Sequence, residues 1–161
     1  MVWLLILLCL AVVISPLMWM KNSPRQQSIQ RFRDIARKHS LKVSLQRRPE
    51  ARESETRLDA VCYWRPWGAD IKPKHWVLHR YSKRGWPSPW QDWNWFEAEA
   101  SAEWRVCVAD VIDALPENVS AIVVNNSGVG TFWDEKGEDS TIEKINLCLA
   151  RLIEKGKEIY A

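Results

Sequence analysis

Apolar and polar positions change rhythm several times along this chain, and each change marks an element. Residues 1 to 20 show no alternation: no charged residue interrupts them, and Ser15 is their only polar side chain. At 1.5 Å per residue such a run reaches roughly 30 Å, the thickness of a hydrocarbon core. Trp3 and Trp19 stand near its ends, where interfacial anchors belong. The pattern predicts a transmembrane helix over 1–20. It is expected to stay uncleaved, because no basic residue precedes it and Leu17-Met18-Trp19-Met20-Lys21 is too bulky for a signal-peptide site.

Beyond the apolar block the periods are those of a folded domain. Ser23-Pro24 reads as a cap followed by proline at the first helical position. The helix behind it reaches about His39, with Ile29, Phe32, Ile35 and Ala36 on one stripe. Leu41, Val43 and Leu45 then alternate with polar residues, predicting a strand. Residues 47–56 are polar and read as a loop. Leu58, Ala60, Cys62 and Trp64 alternate again, and a third strand is expected from His75 to Ser82. Trp86 to Phe96 follows no period; Pro87 and Pro89 argue against regular structure across 86–90.

The second half is clearer. Trp104, Cys107, Val108, Val111, Ile112 and Leu115 recur at helical spacing, and Pro116 ends the helix. Ala121 to Val124 is the run of an inner strand. Asn125-Asn126-Ser127-Gly128 is rich in turn formers, and Val129, Thr131 and Trp133 alternate behind it, predicting a hairpin. Ser140-Thr141-Ile142-Glu143 matches a capping box, and Ile142, Ile145, Leu149 and Leu152 share one helix face.

Grouped strands with short connections point to the α+β class. The expectation is an N-terminal transmembrane helix, then a small antiparallel sheet of about five strands with three helices. Three regions follow: an anchor at 1–20, a basic juxtamembrane helix at 21–40, and an α+β domain at 41–161.

Charge sharpens that division. Residues 21 to 52 hold ten Lys/Arg against Asp34 and Glu50, whereas the remainder holds thirteen against eighteen acids. Lys21, Arg25, Arg31, Arg33, Arg37 and Lys38 lie just after the apolar run, as candidate membrane-surface residues. Under the positive-inside rule they place the body in the cytoplasm, on the inner face of a cell inner membrane crossed once. Cys62, Cys107 and Cys148 are widely spaced in apolar surroundings, which suits reduced thiols.

The charge-free N-terminus, Ser23-Pro24-Arg25, and the helix running into Leu41-Lys42-Val43-Ser44-Leu45 give the chain a layout that resembles small single-pass inner-membrane proteins of proteobacteria whose function is unassigned. The resemblance implies a bacterial source and supplies no site residues.

Catalytic chemistry finds little support. His75 and His79, four apart on a strand, stand about 13 Å from one another along it, too far to share a metal ion. Gly128-Val129-Gly130-Thr131 follows an apolar strand as phosphate loops do, yet no helix opens after it. Asp110, Asp113, Asp134, Glu135, Glu138 and Asp139 read as solvated surface. Neither a cofactor nor enzymatic activity is expected.

Eleven tryptophans in 161 residues are the outstanding feature, eight of them between Trp64 and Trp104. Trp76 and Trp104 fit a core. Trp86, Trp90, Trp93 and Trp95, crowded into a proline-containing stretch, are the candidate interaction residues, and at least two are expected to be solvent-accessible. The expected role is a membrane-tethered, non-enzymatic interaction module whose partners are the bilayer and another protein. The alternative is electrostatic binding of anionic lipid or nucleic acid through the basic segment, with nucleic acid the weaker expectation.

Overall fold

The structure is a computed structural model that describes residues 2–19, 23–49, 59–68 and 70–160. The chain divides into two compact units, Met1–Arg31 and Phe32–Ala161.

The first unit contains helix α1 (Val2–Trp19) and the opening turns of α2 (Pro24–Lys38). Among the described residues no helix is long and apolar enough to cross a membrane. This corrects the transmembrane segment expected over 1–20, and with it the single-pass inner-membrane topology and the cytoplasmic placement of the body. The expectation counted twenty residues. Of these, Val2–Trp19 form α1, and residues 1 and 20 lie outside the described residues. The start of α2 is as expected: Ser23 Oγ accepts from the Gln26 backbone N–H at 3.3 Å, and Gln26 Oε1 accepts from the Ser23 N–H at 2.9 Å. That reciprocal pair is a capping box.

The second unit is built on a seven-stranded antiparallel sheet: β1 (Lys42–Arg47), β2 (Asp59–Pro66), β3 (Trp76–His79), β4 (Trp86–Pro87), β5 (Asn94–Phe96), β6 (Val119–Asn125) and β7 (Gly128–Trp133). Helices α3 (Ala102–Ala114) and α4 (Asp139–Tyr160) complete it. The spatial order is β1-β2-β7-β6-β3-β5-β4. The sheet thus exceeds the expected five strands by β4 and β5, both from the stretch without a period. They are two and three residues long, too short to show alternation, and Pro87 is tolerated because β4 is an edge strand. The loop expected at 47–56 lies largely outside the described residues.

The sheet buries both faces. On one, Tyr63, Trp76, Leu78, Trp95, Ile122 and Trp133 pack with Phe32 and Ala36 of α2, Trp104, Val108 and Val111 of α3, and the apolar stripe of α4. On the other, Cys62, Trp64, Val77, Ala121, Val123 and Phe132 form a smaller cluster with Tyr81 and Phe96 against it. Double-sided burial explains why β6 reads as a continuous apolar run. A bulge between Val119 and Ala121 resets its alternation, so that Val119, Ile122 and Val124 all reach the helix-covered face.

Two glycines make room for indoles. A Cβ at Gly130 would lie 2.7 Å from the Trp64 ring. A Cβ at Gly156, inside α4, would collide with the rings of Trp67 and Trp104. Glycine costs a helix interior about 1 kcal/mol, and here it admits two large aromatic groups. The start of α4 differs from expectation: Thr141 Oγ1 accepts from the Glu138 N–H at 3.2 Å, so the cap lies two residues before Ser140.

Candidate interaction surface

The proline-containing stretch wraps the outer edge of the sheet. Trp86 in β4 stands directly opposite Trp95 in β5, so both side chains project to the helix-covered face. Between the strands, the Trp93 N–H donates to the Trp90 carbonyl at 3.2 Å and the Ser88 N–H to the Trp93 carbonyl at 3.1 Å. These bonds close a turn that brings Trp90 against Trp95, ring centroids 5.8 Å apart at 69°.

The four candidate tryptophans therefore divide. Trp93 and Trp95 are core residues, 4% and 3% exposed. Trp95 meets Trp76 edge-on at 5.8 Å, and Trp76 meets Trp104 at 5.4 Å. Trp93 carries the Arg80 guanidinium on its ring at 4.9 Å. Trp90 is half-buried, with one side on the core. Trp86 alone is exposed, at 39%. Its Nε1–H donates to Glu99 Oε1 at 2.5 Å, which fixes the ring's orientation. Of these four candidates, at least two of which were expected to be accessible, Trp86 is exposed and Trp90 half-buried, the pair flanking a buried Trp95. Alternation could not resolve this, because Trp86 pairs with a residue nine positions away across a turn that has no period.

The five basic candidates within the described residues differ in their surroundings. Lys21 lies outside the described residues. Arg25 and Arg31 are exposed in the first unit, and Lys38 is exposed at the end of α2. Arg37 pairs with Asp34 at 2.8 Å. Arg33 turns inward: Nε and Nη2 donate to the two carboxylate oxygens of Glu135 at 2.8 and 2.9 Å. Tyr63 Oη also donates to Glu135 Oε1, at 2.9 Å. The Glu135 hydrogen bond raises the Arg33 pKa, and burial pushes the Tyr63 phenol well above its ordinary range. Glu135, expected as solvated surface, is 7% exposed. Its partners lie 102 and 72 residues away in the chain, beyond the reach of any local pattern.

Other positions singled out in the sequence have structural roles. His75 Nε2 lies 2.5 Å from Glu97 Oε2. His79 is buried, with Nε2 3.1 Å from the Arg84 carbonyl. Gly128 and Gly130 belong to the β6–β7 hairpin, as expected. Among the described residues no group of three His, Cys, Asp or Glu is arranged to hold a metal ion. All four cysteines are free, and burial pushes the Cys62, Cys107 and Cys148 thiols upward, which leaves them poor nucleophiles at neutral pH.

One important residue gave no signal in the sequence. Arg80 donates from Nε to the Val119 carbonyl at 2.6 Å and from Nη2 to the carbonyls of Pro116 and Glu117. It thereby ties β3 to the loop between α3 and β6.

No family model, curated protein or solved structure matches this chain.

Proposed function

We propose that this chain is a non-enzymatic protein-interaction module that engages its partner through the Trp86–Trp90 edge of the sheet. One observation carries the reading: the indole of Trp86, on the edge strand β4, is exposed yet held in place by a hydrogen bond to Glu99. A fixed aromatic ring loses little conformational freedom on binding and presents a wide apolar face, the profile of an interface anchor. Pro87 lacks an N–H donor, which disfavours pairing with an added strand at this edge. Recognition therefore falls to side chains, with Trp86 as the anchor and Trp90 as its neighbour.

The test is affinity purification with the full chain as bait, comparing the native sequence with Trp86→Ala and Trp86→Arg. The expected result is a partner recovered by the native chain and lost by both variants, with thermal midpoints nearly unchanged. Retention of every partner by both folded variants would refute the assignment.

A further inference from the structure

Helices α3 and α4 run antiparallel, since Cys107 Sγ lies 3.8 Å from the Arg151 carbonyl and Cys148 Sγ lies 4.0 Å from that of Val111. Between their outward sides is an open groove of about 480 Å³. Along α3 it is lined by Glu103, Val106, Cys107 and Asp110; along α4, by Arg151, Glu154, Lys155 and Glu158. Both rows follow the i, i+3, i+4, i+7 spacing of a single helix face. Val106 is 73% exposed, and Leu147, one turn before Arg151 on the same α4 stripe, is 61% exposed. The folded unit thus leaves two large aliphatic side chains outside on its two-helix layer.

The rim carries a definite charge. Lys155 pairs with Glu158 at 3.0 Å. That leaves Glu103, Asp110 and Glu154 facing Arg151, and none of these three acids has an ion-pair partner among the described residues. A groove with exposed aliphatic groups and uncompensated carboxylates complements a ligand that is apolar on one stripe and basic beside it. Its shape selects the ligand's form. Leu147 to Glu158 spans about 16 Å, three helical turns, and a third helix laid between two others packs by ridges and grooves.

We propose that the α3–α4 groove is a docking site for an amphipathic helix of a partner protein, with its apolar stripe over Val106 and Leu147 and its Lys or Arg residues against Glu103, Asp110 and Glu154. The groove shares no residue with the tryptophan edge, so the two proposals stand or fall separately.

The test uses the full chain and two fluorescein-labelled helical peptides of about 14 residues, or four turns. Both carry the same leucine stripe, flanked by lysine in one and by glutamate in the other. Anisotropy titration at physiological salt should show the Leu/Lys peptide binding at least about tenfold more tightly than the Leu/Glu peptide. Glu103→Lys with Glu154→Lys should reverse that preference, Val106→Ser should weaken binding of the Leu/Lys peptide, and Trp86→Ala should change nothing. All substituted groove positions are exposed, so folding is expected to survive, and circular dichroism checks it. Equal binding of both peptides, no binding, or indifference to both groove variants would overturn the proposal. Dimerisation of the native chain that Val106→Ser abolishes would also overturn it, by making a second copy the occupant.

Discussion

Glu135 receives two N–H groups of Arg33, at 2.8 and 2.9 Å, while its own backbone stands in the left-handed region at φ 56. A non-glycine residue holds that conformation at a cost of roughly 1–2 kcal/mol, so the surrounding contacts must outweigh it. The carboxylate joins α2, β2 and the end of β7 at one point, beside the packed rings of Phe32, Tyr63 and Trp133.

Removing that carboxylate should be destabilising. Glu135→Ala leaves the Tyr63 hydroxyl buried without its acceptor and Arg33 unpaired. The Arg33 side chain is 40% exposed, so water recovers part of the loss, and a cost of about 2 kcal/mol is expected. Glu135→Gly should cost about 1 kcal/mol less, because it also relieves the backbone. Urea denaturation of the two variants measures the difference. Equal losses would show that the backbone stores no strain there.

Stability should fall with rising pH on the alkaline side. Burial holds the Cys62 thiol protonated in the folded chain, its pKa well above the ordinary range, whereas a thiol in the unfolded chain ionises near pH 8.5. Below that pH both states keep the proton and no slope arises. Above it only the unfolded state releases the proton, so unfolding is favoured by up to about 1.4 kcal/mol per pH unit for this group. Cys107 and Cys148 are shifted in the same direction. Urea midpoints measured from neutral to alkaline pH should decline, and Cys62→Ala should flatten the decline. An unchanged slope in that variant would place the effect elsewhere.

Gly156→Ala should destabilise the protein although alanine is the better helix former. The added methyl meets the rings of Trp67 and Trp104, and overpacking of this kind costs about 1–3 kcal/mol, more than the roughly 1 kcal/mol gained in propensity. A raised thermal midpoint would show that the two indoles can move aside.

The tryptophans of the proline-containing stretch should separate by thermal denaturation. Trp95→Ala removes a buried ring that touches both Trp76 and Trp90, and is expected to cost about 3–5 kcal/mol. Trp86→Ala removes an exposed ring and one hydrogen bond to Glu99, a cost of about 1 kcal/mol or less. Similar losses for both would place Trp86 in the core.

What the sequence determined by itself was local. The stripe of Trp104, Val108 and Val111, the α4 face, the β6–β7 hairpin and the Ser23 cap all follow from spacings within a few residues, where side-chain direction repeats with the backbone. Tertiary structure decided the rest. An unbroken apolar run at 1–20 resembled a span, yet among the described residues no helix is long and apolar enough to cross a membrane. Four clustered indoles looked equivalent until the pairing of β4 with β5 and of β5 with β3 sent Trp95 inward and left Trp86 at the edge. Glu135 resembled its acidic neighbours until the fold brought Arg33 and Tyr63 to it. In each of these two cases the deciding partner is distant in the chain, and only packing determines which of several similar side chains is turned towards it.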